Sequence, residues 1–236
     1  MPAHILVTGA NRGIGQAIFT RLKSEDVLLA GHASRGGGGL IGADLADPQA
    51  PAALWSAALD ALDGRVDVLI NNAGIFESAP LDSSDADWDA AWERTMRINL
   101  TASSALTRLA VRHFRARGGD GRIVNIASRA AHRGDSPDHW SYAASKAGMV
   151  AVTKTIARGY AAEGILAFAV CPGFTLTGMA EDYLASRDGA AVLADIPLGR
   201  VATTDEVAEA TAFLALRAPP SMTGAVIDVN GASYVR

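Results

Sequence analysis

Thr8-Gly9-Ala10-Asn11-Arg12-Gly13-Ile14-Gly15 follows a short apolar run, residues 4–8, that reads as a strand, and leads into residues 14–24, whose apolar spacing is helical. A glycine-rich turn between strand and helix aims backbone N–H groups and the positive end of the helix dipole at one point above the sheet, so an anion is favoured there. Glycine permits the tight turn, the close approach of backbone to a pyrophosphate and the close packing of helix on strand, where any Cβ would intrude. The turn therefore reads as a dinucleotide seat, with Gly9, Asn11, Arg12, Gly13, Ile14 and Gly15 as candidate binding residues. Its spacing, Gly-x-x-x-Gly-x-Gly, is one residue wider in the first gap than the Gly-x-Gly-x-x-Gly of many dinucleotide folds.

Outward from this turn the same alternation continues. Strands are expected at residues 4–8, 26–30, 40–43, 66–70, 122–127, 166–170 and 225–229, and helices at 14–24, 48–62, 85–117, 142–162 and 204–216, with a looser segment at 178–195. Short strands separated by helices require right-handed crossovers, hence a parallel sheet covered on both faces. The expected fold is α/β, a doubly wound, Rossmann-type sheet of seven parallel strands in a three-layer αβα arrangement, forming a single domain over 1–236 with a substrate lid at about 176–197. Asp47 before Pro48 reads as the start of the second helix, and Thr204 as the start of the last. The run Arg35-Gly36-Gly37-Gly38-Gly39 is flexible but falls between the second and third strands, too early to divide domains.

Composition narrows the class. Apolar residues are 49% and charged residues 19% of the 236, which is far from the signature of disorder. The net charge of −4, with no block of like charges, argues against nucleic acid as a partner. The longest apolar run, residues 165–171, is a third of the about 20 residues a membrane span needs, so it reads as a buried strand and no membrane is expected. One cysteine, Cys171, forms no internal disulfide, and the opening residues lack a leader pattern; both point to the cytoplasm. His4, His32, His113, His132 and His139 are scattered without His-Glu-x-x-His spacing, so no metal is expected.

Tyr142 and Lys146 stand four apart at a helix start, so their side chains share a face. Phenol titrates near pH 10, and an ammonium beside it is expected to lower that value. Ser128 ends the buried run Ile123-Val124-Asn125-Ile126-Ala127, at the sheet edge where ligands of such folds bind; Ser136 and Ser141 are its nearby rivals. Together with the turn Thr8-Gly-x-x-x-Gly-x-Gly15, the segments Asn71-Asn72-Ala73-Gly74, Ser128, Tyr142-Ala-Ala-Ser-Lys146, Pro172-Gly173 and the terminal Gly224 to Gly231 resemble the short-chain dehydrogenase/reductase family, in its usual order and over almost the whole chain. The resemblance is to the common short type, similar to 3-oxoacyl-[acyl-carrier-protein] reductases.

That resemblance implies an oxidoreductase acting on a small carbonyl or alcohol, a carbonyl reductase or alcohol dehydrogenase, with Tyr142 as general acid/base. Lys146 would hold the nicotinamide ribose, Ser128 the substrate oxygen, and Asn99 a water in the proton relay. It implies adenine contacts from Asp44 and Leu45, adenosine contacts from Asn72, Ala73 and Gly74, and carboxamide-side contacts from Pro172, Gly173 and Thr175. No acidic residue ends the second strand; His32, Ser34, Arg35 and the turn's Arg12 stand there instead, which favours NADP(H) over NAD(H). The family also implies a homo-oligomer, a tetramer or otherwise a dimer, through residues 85–117, 142–162 and the last strand, with Ala143, Ala144, Ala147, Gly148 and Ala151 as a small-residue face. An NAD-dependent dehydrogenase and a catalytically silent nucleotide sensor are the alternatives. His132, His139 and Trp140 border the expected substrate pocket, and Cys171 reads as a buried strand residue.

Overall fold

The computed structural model describes residues 2–177 and 189–236. The turn at Gly9 is preceded by β1 (Ala3–Val7) and followed by α1 (Gly13–Leu22), β2 (Val27–Ala33) and the short β3 (Ile41–Gly42). The chain then runs through α2 (Ala50–Ala61) to β4 (Val68–Asn71), α3 (Asp85–Met96), a π-helical turn (Arg97–Ala102) and α4 (Ser103–Ala116). Next come β5 (Gly121–Ile126), α5 (Ala130–Arg133), α6 (Trp140–Tyr160) and β6 (Ile165–Pro172). Then follow β7 (Thr175–Leu176), α7 (Gly189–Ala194), β8 (Ala202–Thr203), α8 (Thr204–Leu216) and β9 (Val226–Val229).

Seven strands form one sheet in the order β3-β2-β1-β4-β5-β6-β9, all pairs parallel, as the alternating pattern requires. Successive strand residues feed opposite faces. Leu6, Leu69, Ile123 and Ala167 pack with α2, α4 and α6, whereas Ile5, Val7, Ile70, Val124 and Phe168 pack with α1 and α8. The chain winds outward from β1 to β3, then returns to place β4 on β1's other side. Strand order reverses between β1 and β4, and their carboxyl ends open the crevice in which ligands of open α/β sheets bind.

Several local expectations are corrected. The helix expected over 85–117 runs without a break over 85–116 but carries a π turn within it, whose extra residue rotates Asn99 into the interior. The second helix begins at Ala50 with Pro51 in its first turn; Asp47 instead accepts the Gln49 N–H at 2.9 Å, a local turn that delays the helix. β3 shrinks to Ile41–Gly42 because the four glycines before it run through positive φ. α5 and the small β7–β8 sheet lay outside the expectation; each is too short to carry a period. α8 starts at Thr204 as expected, capped by Thr203 in a box with Glu206. Most of the expected lid lies outside the described residues; α7 is its described end. Among the described residues no helix is long and apolar enough to cross a membrane.

Candidate active site

At the carboxyl end of β1 the turn is shaped by contact. Gly9 and Gly13 have φ of +67° and +52°, and a Cβ on Gly15 would lie 2.0 Å from the Gly9 carbonyl oxygen. The Thr8 hydroxyl accepts N–H groups from Asn72 at 2.9 Å and Ala73 at 3.0 Å, while the Asn72 amide donates to the Thr8 and Gly9 carbonyls at 3.0 Å each. The β1 turn and the loop after β4 are thus one hydrogen-bonded unit.

His32 completes it. Gly9 N–H donates to Nδ1 at 3.2 Å and Ala10 N–H to the His32 carbonyl at 2.8 Å, while Nε2 lies 2.8 Å from the Ala43 carbonyl. Nδ1 accepts and Nε2 faces an acceptor, so the proton sits on Nε2 and the ring is neutral. Only 2% of the residue is exposed, and burial lowers its pKa. The expectation that His32 adds cationic character near a 2′-phosphate is therefore overturned. With Gly9 and Ala10 spoken for, the unpartnered first amides of α1 remain for an anion, as a pyrophosphate seat requires.

Around this seat Arg12, Ser34 and Arg35 are exposed, and neither arginine makes an ion pair among the described residues. Asp44 is exposed and caps the Ala46 N–H at 3.0 Å. The Leu45 side chain is 5% exposed within the α2–α4 core, so it is the backbone at Leu45 that stands free to border an adenine. On the far side Pro172 ends β6, Gly173 passes so close to Asn230 that a Cβ would meet it at 2.8 Å, and the Thr175 hydroxyl donates to the Gly173 carbonyl at 3.1 Å.

The second half of the crevice lies past β5. The Ser128 hydroxyl accepts the Ala130 N–H at 3.1 Å and lies near enough to the Tyr142 phenol to influence its titration. Burial raises that phenol to about 12, with Ser128 pulling it partly back. Lys146, 4% exposed and one helical turn on, donates from Nζ to the Ile126 carbonyl at 2.8 Å and lies 5.7 Å from the centre of the Tyr142 ring. Burial drops its pKa to about 8. The expected lowering of the phenol by the ammonium is thus corrected: Lys146 is engaged with a carbonyl, and desolvation governs Tyr142.

Asn99 joins the group from the π turn. Its amide donates to the Ile75 carbonyl at 2.9 Å and accepts the Ile75 N–H at 2.8 Å, pinning the loop after Gly74. It also reaches the Ser145 hydroxyl at 3.2 Å, which donates to the Tyr142 carbonyl at 2.7 Å. A Cβ on Gly74 would stand 3.3 Å from Asn99 Oδ1 and 3.5 Å from Lys146 Nζ, so that glycine keeps the floor open. The rival serines lie elsewhere: Ser136 is exposed against His139 at 2.6 Å, and the buried Ser141 hydroxyl has no partner among the described residues.

Sequence reasoning missed one neighbour of the phenol. Phe76 is 58% exposed, stacks on His139 at 3.8 Å and meets Tyr142 edge-on at 4.8 Å. An exposed phenylalanine two residues past Gly74 was the available signal. His132, by contrast, stacks on Tyr234 at 5.7 Å and approaches Cys171 Sγ at 3.8 Å, on the far side of Ser128.

A doubly wound parallel sheet with a glycine-turn dinucleotide seat, facing a serine, tyrosine and lysine across its switch point, defines a nicotinamide-dependent oxidoreductase that moves hydride to or from carbonyl carbon. The family profile described as enoyl-(acyl carrier protein) reductase matches residues 9–232. The chain is 34% identical over 241 residues to 3-oxoacyl-[acyl-carrier-protein] reductase FabG of Haemophilus influenzae, covering 98% of this chain and 97% of the relative. It is 38% identical over 241 residues to cis-4-hydroxycyclohexanecarboxylate dehydrogenase of Sinomonas cyclohexanicum, covering 96% and 94%. Among solved structures, a protein of Agrobacterium tumefaciens provisionally assigned as 2-deoxy-d-gluconate 3-dehydrogenase, with bound NADP, superposes with a TM-score of 0.86 at 32% identity, covering 99% of this chain and 97% of that one. The chain belongs to the short-chain dehydrogenase/reductase family, and it is an oxidoreductase similar to the 3-oxoacyl-[acyl-carrier-protein] reductases.

Proposed function

We propose that this chain is an NADP(H)-dependent carbonyl reductase, running in reverse as an alcohol dehydrogenase, in which Tyr142 moves the proton at the substrate oxygen. The observation that carries it is the convergence of Ser128 and Lys146 on Tyr142, with Lys146 Nζ one helical turn on and 5.7 Å from the centre of the Tyr142 ring. At neutral pH the phenol is protonated and able to give its proton to the substrate oxygen, and the Ser128 hydroxyl is placed to donate a hydrogen bond to that same oxygen. When bound, the nicotinamide cofactor supplies or takes up the hydride. Lys146 holds the ribose hydroxyls once Nζ turns from Ile126, and Asn99 fixes the Ile75 loop against the Gly74 floor.

Gly9 through Gly15 seat the pyrophosphate; Asn72, Ala73, Gly74 and the Asp44 segment border the adenosine; Pro172, Gly173 and Thr175 border the carboxamide. Arg12, Ser34 and Arg35, exposed where no carboxylate ends β2, support a preference for the 2′-phosphate of NADP(H). The bound NADP of the similar Agrobacterium protein supports the same choice. No metal ion takes part in this chemistry. The chain acts as a single catalytic unit in the cytoplasm and assembles as a tetramer. Gly148 is spent inside the chain, since a Cβ there would strike Leu100 at 2.6 Å; Ala144, Ala147 and Ala151 remain exposed for helix packing.

On the substrate side, two relatives of similar identity act on different shapes by name, one an acyl thioester and one a ring. The exposed Phe76 ring beside Tyr142 favours the ring, because it offers apolar surface at the phenol against which a compact apolar ring is buried. Fluorescence titration with NADPH and NADH, then turnover against cyclic ketones and 3-oxoacyl thioesters, tests the whole reading. Tighter NADPH binding with turnover of a cyclic ketone is expected. Tight binding without turnover across the panel favours the nucleotide sensor, and an NAD preference of about tenfold or more in kcat/KM overturns the cofactor assignment.

A further inference from the structure

Behind Ser128, on the side away from Tyr142, three side chains of different chemistry converge. Cys171 and Asp228 are register partners on β6 and β9, so they stand side by side on one face of the sheet, and His132 reaches over them from α5. Their ligand atoms all lie within 4.8 Å of one another, and His132 Nε2 is 3.8 Å from Cys171 Sγ. A tetrahedral centre with bonds of about 2.3 Å to sulfur and about 2.0 Å to nitrogen sets those two atoms about 3.5 Å apart.

Asp228 supplies an independent sign. Arg236 grips one carboxylate oxygen, from Nε at 3.0 Å and Nη2 at 2.9 Å, while the other oxygen is buried with no hydrogen-bond partner among the described residues. A buried carboxylate oxygen left bare is costly unless something cationic or protic meets it. An open cleft of about 580 Å³, bordered by Asp228, Asn230, Tyr234 and Arg236, reaches the group at its Asp228 member.

We propose that His132, Cys171 and Asp228 form a binding site for a borderline-soft divalent cation of the zinc type, with water as the fourth ligand. A mixed sulfur, nitrogen and oxygen donor set at this spacing suits that ion and not magnesium or calcium, which take oxygen alone. Binding breaks the Cys171 S–H bond, forms a sulfur–metal bond and releases the proton to solvent. The thiolate and the Asp228 carboxylate then balance the ion's two charges, within a field that also includes Lys146, Lys154 and Arg236. The ion takes no part in hydride transfer. It acts on the reaction because the backbone on either side of Ser128 is bonded to that on either side of Cys171, Ala127 N–H to the Val170 carbonyl at 2.8 Å and Arg129 N–H to the Pro172 carbonyl at 2.9 Å, so a metal on the Cys171 sulfur disturbs the serine beside Tyr142. The site is an inhibitory one.

Cobalt(II) alone, titrated into the purified chain, reports directly on the sulfur. One equivalent is expected to bring in a thiolate-to-cobalt charge-transfer band with visible bands of tetrahedral intensity. Cys171→Ala is expected to abolish the charge-transfer band, and Asp228→Asn and His132→Gln to weaken cobalt affinity at least about tenfold. Zinc(II) is expected to inhibit the wild-type enzyme reversibly on chelation and to leave Asp228→Asn uninhibited at the same concentration. NADPH titration checks that each variant is folded, and Asp228→Asn carries the test if Cys171→Ala is not. Saturating cobalt without a charge-transfer band overturns the proposal, as does affinity unchanged in both Asp228→Asn and His132→Gln.

Discussion

The two halves of the crevice are built on different principles. At the dinucleotide end the first half of the turn is fixed by its own bonds, Thr8, Asn72 and His32 holding Gly9, Ala10 and Ala73, which leaves the first amides of α1 to meet the anion. At the catalytic end the chemistry rests on side chains whose pKa values burial has moved, Tyr142 up to about 12 and Lys146 down to about 8. A backbone seat binds through shape and tolerates no added atoms. A side-chain site works through protonation and tolerates shape changes but not a lost proton.

The deepest cut between the two is Tyr142→Phe. Removing one hydroxyl takes the proton from the substrate oxygen and leaves the dinucleotide seat untouched, so turnover is expected to fall about 10²–10⁴-fold while NADPH titration is unchanged. Loss of NADPH binding in this variant would break the separation of the two halves. The mirror cut is Gly15→Ala. The new methyl would sit 2.0 Å from the Gly9 carbonyl oxygen, so the turn must open. Dinucleotide affinity is expected to drop about tenfold or more, with kcat at saturating cofactor much less affected. An effect on kcat equal to that on affinity would mean that the turn also positions the reacting carbon.

His32 sharpens the contrast because it is a side chain doing a backbone's work. His32→Ala leaves the Gly9 N–H without its acceptor and is expected to cost about 1–3 kcal/mol in denaturant unfolding, with weaker NADPH binding. His32→Gln retains an acceptor and a donor and is expected to recover most of both. The folded ring has a pKa below its ordinary 6.5, so the unfolded chain binds more protons as pH falls beneath that value. Stability from His32 is complete above about pH 6.5 and is lost on acidification, and His32→Gln is expected to flatten that acid limb. An acid limb of the same slope in both proteins would assign it to other groups.

Legibility follows the same division. Thr8 to Gly15, Asn72 to Gly74 and the strand periods were readable because glycine and alternating apolar residues state a backbone geometry directly. The π turn was not, since Met96-Arg97-Ile98-Asn99-Leu100 has ordinary helical composition and only the bond of Asn99 to Ile75 reveals the inserted residue. Nor was His32 readable as a neutral strut: a histidine near a phosphate site reads as a cation until burial and two hydrogen-bond partners fix its tautomer. Leu45 shows the converse, a position whose neighbours suggest cofactor and whose side chain belongs to the core. Tyr142, Lys146 and Ser128 could be found by spacing, but their charge states depend on desolvation, which no spacing encodes.

Lys146 turns that desolvation into the finest test. Its ammonium is expected to be the form that holds the ribose, and kcat/KM for the dinucleotide reports the free enzyme. With a pKa of about 8, the charged fraction falls about fourfold between pH 7 and pH 8.5, and kcat/KM for NADPH is expected to fall with it. An ordinary lysine, titrating near 10.4, would leave the profile flat over that range. Stability moves the other way. Between about 8 and 10.5 the folded chain holds fewer protons at this site than the unfolded chain, so this group adds stability as pH rises. Activity that falls while the Lys146 contribution to stability rises, each lost in Lys146→Met, separates a buried charge kept for binding from one kept for the fold. A kcat/KM profile flat to pH 9 would instead place Lys146 in a wetter setting than its bond to the Ile126 carbonyl implies, and the catalytic half would then resemble the dinucleotide half more than its burial predicts.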